Sequence, residues 1–73
     1  MRLECRYSSC EMLYLEVTSR DVRSYLDHSP DHAQVWSFEE VLSGALEQDN
    51  ETRALFSSED IERVKDEVRL RNR

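Results

Sequence analysis

The hexapeptide WSFEEV at residues 36–41 carries the most complete helix-start signal in the chain. Ser37 precedes Glu40 by three residues, and the apolar residues Trp36 and Val41 flank the pair. In such a capping box the serine hydroxyl accepts a hydrogen bond from the third helical N–H, while the acid bonds back to the N-cap and the apolar pair packs together. Acidic side chains also suit the positive end of a helix. The stretch therefore predicts a helix that begins near residue 38.

Two weaker boxes lie on either side, VTSRDV at residues 17–22 and FSSEDI at residues 56–61. Both use the shorter acid Asp where the capping box prefers Glu. Together the three boxes predict helices near residues 19–28, 38–48 and 58–70.

Apolar residues recur at helical spacing in each predicted helix, which supports the three assignments. These residues are Val22, Tyr25 and Leu26 in the first, Phe38, Val41, Leu42, Ala45 and Leu46 in the second, and Ile61, Val64 and Val68 in the third.

The first 17 residues follow a different period. Leu3 and Cys5, and then Leu13, Leu15 and Val17, alternate with polar neighbours around a turn at residues 7–9. A period of two predicts strands. The expected fold is α+β, an N-terminal β-hairpin followed by about three helices. We expect one domain over residues 1–73, with a hairpin–helix unit at 1–32 and two amphipathic helices at 36–73.

All the Cys and His residues of the chain fall in the first of these units. Cys5, Cys10, His28 and His32 have the spacing C-x4-C-x17-H-x3-H. Thiolate and imidazole are the ligands that tetrahedral Zn²⁺ prefers, and four protein ligands would make a structural site rather than a catalytic one. The bound metal would also stabilise a small chain. Two alternatives stay open: a core thiol with surface histidines, and a Cys5–Cys10 disulfide.

Residues 3–32 resemble a C2H2 zinc finger in their Cys–Cys and His–His spacings. Tyr14 and Tyr25 stand where that family has its core aromatic residue and its core leucine. The resemblance implies a ββα unit that binds zinc. The chain departs from the family in having 17 residues between Cys10 and His28, against about 12 in the family, and Pro30 lies between the two His.

Composition narrows the range of functions. The net charge of -6 disfavours general binding to nucleic acid, which depends on Lys and Arg. No apolar run is long enough to span a membrane and no signal peptide is evident, so we expect a cytoplasmic protein. A single Gly excludes a Gly-rich phosphate loop, and no catalytic set of side chains can be assembled. We therefore expect no enzymatic activity.

The sequence favours a small regulatory or adaptor module that binds a protein partner, including the case of an acidic protein that neutralises a basic one. Trp36 and Phe38 would anchor the partner if they are exposed; otherwise Trp36 packs on Val41 in the core. The alternative is a finger-like nucleic-acid-binding protein using Arg2, Arg6, Arg20 and Arg23. It requires these arginines to converge on one face free of carboxylates. A homodimer formed through the last helix is a third hypothesis.

Overall fold

The computed structural model describes residues 1–72 and has a four-stranded sheet followed by a helical layer. The strands, antiparallel and in sequential order, are β1 (Arg2–Arg6), β2 (Met12–Val17), β3 (Asp21–Leu26) and β4 (Ser29–Ser37). The helices are α1 (Phe38–Leu42), α2 (Ala45–Gln48), α3 (Asn50–Leu55) and α4 (Ser58–Arg71). The predicted α+β class is confirmed, although the sheet has four strands where a hairpin was expected.

The helices cover one face of the sheet. Helix α1 contacts β3, β4 and α4, and α4 contacts β2. The buried apolar residues of the layer between them are Leu13, Leu15, Val17, Val22, Trp36, Phe38, Val41, Leu46, Phe56, Ile61, Val64 and Val68. The predicted alternation in β2 is confirmed, because its inward side chains are buried and its outward ones are partly exposed.

The prediction of a helix over residues 19–28 is wrong, because this segment contains strand β3. Val22, Ser24 and Leu26 of β3 face the covered side of the sheet at a period of two. Ser24 is buried although it is polar, so a count of apolar residues alone misses the alternation. Residues 1–32 consequently form strands joined by turns rather than a hairpin followed by a helix.

The box that suggested the helix is a hairpin turn. The Thr18 hydroxyl accepts hydrogen bonds from the backbone N–H groups of Asp21 (3.1 Å) and Arg20 (3.3 Å), and it donates to the Asp21 carboxylate (2.6 Å). The Thr18 N–H also bonds the Asp21 carbonyl across the turn at 2.9 Å. A Ser or Thr hydroxyl makes the same local bonds in turns as at helix starts, so the motif does not distinguish the two.

The predicted helix over residues 38–48 is present but broken. Ser37 caps α1 with a complete capping box, as expected. Gly44 then adopts a φ of 100°, in the left-handed region, and separates α1 from α2. An additional helix, α3, follows, and the Asp49 carboxylate caps it by accepting from the Thr52 N–H at 3.0 Å.

The last predicted helix is confirmed as α4. Ser57 caps it by accepting from the Asp60 N–H, and Ile61, Val64 and Val68 are its buried stripe. Within residues 1–72, no helix is both long and apolar enough to cross a membrane.

Candidate binding surfaces

The four predicted zinc ligands occupy different environments. Cys5 lies on the covered side of β1, half-buried, and its thiol donates to the Leu55 carbonyl at 3.1 Å. Cys10 is exposed in the loop between β1 and β2. His28 is exposed in the turn between β3 and β4, and His32 is exposed on β4.

Cys10 and His28 are brought together through the backbone. His28 Nε2 lies 3.0 Å from the Cys10 carbonyl oxygen. This hydrogen bond, with the nearby Asp27 carboxylate, raises the pKa of His28. Over residues 1–72, no three His, Cys, Asp or Glu side chains are grouped as a metal site. Zinc binding by Cys5, Cys10, His28 and His32 stays a prediction.

Trp36 and Phe38 belong to the core. They are only 6% and 8% exposed, and they pack in the same cluster as Val41. The condition for a partner anchor, exposure, is not met. The role assigned to Trp36 as an apolar neighbour of Val41 agrees with this placement.

The uncovered side of the sheet, here called the open sheet face, gathers three of the four candidate nucleic-acid-binding arginines. Register places Arg2, Glu16, Arg23 and Val35 in one row across the four strands, with Glu4, Tyr14 and Tyr25 in the next row and Arg6 beside Met12 in a third. Arg20 lies apart, in the β2–β3 turn. The required face free of carboxylates is not formed, because Glu16 stands between Arg2 and Arg23.

Tyr14 and Tyr25 form the centre of the open sheet face. Their ring centroids are 5.4 Å apart with planes tilted by 40°, and the Arg2 guanidinium lies 4.5 Å from the Tyr14 ring centroid. The Tyr25 hydroxyl donates to Glu16 at 2.9 Å. Partial burial and this carboxylate raise the pKa of Tyr25. The aromatic groups thus already have charged partners within the chain.

Charge is distributed unevenly along the chain. Residues 39–62, here called the acidic segment, carry eight Asp and Glu side chains and one Arg, a net charge of -7. Residues 63–73 carry five basic and two acidic side chains, a net charge of +3, and residues 1–38 have a net charge of -2. The negative charge of the whole protein is therefore concentrated in α1, α2, α3 and the first turns of α4.

A groove of about 410 Å³ opens within the acidic segment, between α2, α3 and the start of α4. We call it the helical groove. It is lined by Glu47, Arg53, Phe56, Ser58, Ile61 and Glu62. Phe56 and Ile61 form its apolar wall, while Arg53 and Glu62 bring opposite charges to it.

An ion pair involves Glu47, one of the residues that line the helical groove. Lys65 Nζ donates to Glu47 Oε2 at 2.8 Å, and the Lys65 side chain is 14% exposed. The hydrogen bond from Lys65 lowers the pKa of Glu47, and the same bond raises the pKa of Lys65. Glu47 is thus ionised and largely neutralised by Lys65. Its other oxygen, Oε1, is buried and has no hydrogen-bond partner within residues 1–72.

Neither surface was identified from the sequence. The open sheet face was missed because the expected first helix placed Tyr25 on a buried stripe. The signal for the helical groove was the local charge of residues 39–62, which the net charge of the whole chain conceals. The exposed part of α4 offers little for a dimer, since the apolar stripe of that helix is buried in its own core and Leu70 is the exposed large apolar residue on it.

Comparison of the chain with protein-family models, with curated proteins and with solved structures gave no match.

Proposed function

We propose that this protein is a small non-enzymatic regulatory module that binds a basic protein partner through its helical layer. The observation that carries the proposal is the concentration of a net charge of -7 in residues 39–62, around a groove with an apolar wall. Complementary charge steers association and selects partners, and a partly apolar surface supplies the contact area.

The helical layer supports this proposal better than the open sheet face does. On the sheet side, two carboxylates pair with arginines: Arg2 lies 3.8 Å from Glu4, and Arg23 lies 3.0 Å from Asp21. A carboxylate that already pairs with an arginine of the chain gains little from a cation on a partner.

In the acidic segment, Glu47 and Glu62 pair with Lys65, and Asp60 pairs with Arg63. The other five carboxylates form no ion pair within residues 1–72, so an external cation is the complementary group. They are Glu39, Glu40, Asp49, Glu51 and Glu59.

The test is fluorescence anisotropy with a labelled arginine-rich peptide and an aspartate-rich peptide of equal length. The helical-layer variant combines Glu39→Gln, Glu51→Gln and Glu59→Gln. The matched control combines Glu4→Gln, Glu11→Gln and Glu16→Gln, which removes the same charge from the sheet side.

We expect the full chain to bind only the basic peptide, with affinity that falls as salt is added. The helical-layer variant should bind the basic peptide roughly tenfold more weakly, because it lacks three exposed charge contacts. The control should stay close to the parent. Equal losses in both variants would mean attraction to net charge alone and would contradict the proposal.

The proposal includes two further expectations from the sequence. A reducing, cytoplasmic setting would keep Cys5 and Cys10 as thiols. A structural zinc on Cys5, Cys10, His28 and His32 would require Cys5 to leave the Leu55 carbonyl. Native mass spectrometry of untagged protein tests this, since a bound zinc adds about 65 Da less the released protons.

A second candidate function is binding of single-stranded nucleic acid on the open sheet face. It is favoured by one observation, the Tyr14–Tyr25 pair beside Arg2, because aromatic rings and Arg on an open sheet can stack bases. The interleaved Glu4 and Glu16 oppose it. Salt-sensitive binding of a labelled single-stranded RNA that Tyr14→Ala abolishes would support it, and no binding at low salt would remove it.

A further inference from the structure

We infer that the helical groove holds an apolar side chain from the partner, and that basic residues on either side of this anchor contact the rim of the acidic segment. This inference rests on the proposed function and deepens it, because it names the kind of segment that is recognised: a basic stretch interrupted by an apolar anchor.

The inside of the helical groove suits an apolar group better than a cation. Phe56 and Ile61 line it, and each is 4% exposed because it packs in the core cluster. Glu47 is already neutralised by Lys65 at 2.8 Å. Arg53 and Glu62, of opposite sign, add no net charge. A cation placed here would lose hydration without gaining an unshared carboxylate.

The surroundings of the groove suit basic residues. Glu51 and Glu59 are exposed, and each lies in the first turn of a helix, α3 and α4 respectively. Neither forms an ion pair within residues 1–72. A lysine or arginine beside the anchor would therefore meet carboxylates that have no cation of their own.

The volume of the groove agrees with this occupant. About 410 Å³ is within the range of pockets that hold a small ligand, and it is large enough for one or two apolar side chains.

The test uses two arginine-rich peptides of equal charge and length, one with a central leucine pair and one with a central serine pair. Both are titrated into the full chain and into two variants. Ser58→Phe fills the groove from the exposed first residue of α4, and Ser19→Phe, in the exposed β2–β3 turn, is the matched control. Arg53→Trp is a second filling variant, used if Ser58→Phe does not give the parent's circular dichroism spectrum.

We expect the leucine peptide to bind the parent about tenfold more tightly than the serine peptide, the factor that partial burial of apolar side chains supplies. The ratio should fall to about one in the filling variant and persist in Ser19→Phe. Equal affinities for the two peptides in the parent would overturn the groove inference and leave charge recognition standing. A ratio that persists in the filled groove would also overturn it. No binding of either peptide would overturn the proposed function itself.

Discussion

Contacts of single side chains join the helices to one another and to the sheet. Lys65 makes one of these contacts. It reaches from α4 to Glu47 on α2 with a 2.8 Å bond, and its side chain is 14% exposed. A charge-assisted bond in a partly buried place contributes more than a surface pair does. This contact therefore links α4 to α2 on the Glu47 side of the helical groove.

We predict that Lys65→Met lowers the free energy of unfolding by about 1 kcal/mol near neutral pH, because Glu47 loses its donor. The lowered pKa of Glu47 means that its stabilisation is present above the ordinary carboxyl pKa and lost as pH falls through the folded value. The raised pKa of Lys65 gives the opposite limit, a loss as pH rises through its folded value.

Urea unfolding at several pH values measures this. The difference in unfolding free energy between the parent and Lys65→Met should become smaller at acid pH. Arg69→Met is the control, since its partner Asp66 is 69% exposed and the pair should contribute little. A gap that is independent of pH would assign the loss to packing instead of the ion pair.

Cys5 ties the sheet to α3, and its removal separates two roles for the thiol. We predict that Cys5→Ala costs about 1 kcal/mol, because the bond to the Leu55 carbonyl is lost. The measurement is urea unfolding with and without a chelator. An equal loss under both conditions assigns it to the hydrogen bond and packing. If the chelator destabilises the parent but not Cys5→Ala, the zinc site is established.

At the level of secondary-structure elements, the backbone conformation of Gly44 separates α1 from α2. Gly44 has a φ of 100°, and a Cβ there would meet only Gln48 Nε2 at 3.9 Å. Space is therefore available, and the cost of a side chain comes from the left-handed backbone itself.

We predict that Gly44→Ala lowers the free energy of unfolding by about 1 kcal/mol. Ser43→Ala, at the neighbouring position with a φ of -85°, should change it little. Thermal and urea unfolding followed by circular dichroism will compare them. A stabilised Gly44→Ala variant would contradict the break and favour one continuous helix over residues 38–48.

The helices and strands differ in whether they could be predicted from the sequence. The capping box at Ser37 and the helix over 58–71 were predictable, because local bonds and apolar period agree there. Strand β3 was not, because Thr18 makes cap-like bonds in a turn and the buried Ser24 hides the strand period. The strand conformation of residues 21–26 depends on pairing with β2 and β4, which the local sequence does not specify.

At the scale of the whole molecule, residues 1–38, which include the sheet, have a net charge of only -2, while the acidic segment has a net charge of -7. The net charge of -6 was visible in the sequence, but its concentration around an apolar groove depends on how α2, α3 and α4 come together. Likewise, Arg2 and Arg23 became neighbours of Glu16 only through strand register. The proposed binding surface could therefore not be predicted from local sequence patterns alone.

The most direct test of the central claim is a chemical-shift map of the ¹⁵N-labelled full chain titrated with the arginine-rich leucine peptide. Recognition by the helical layer predicts that the largest changes occur at amides of residues 47–62, with the amides of Tyr14 and Tyr25 unchanged. Changes centred on the open sheet face, or no localised change when the peptide is bound, would contradict it.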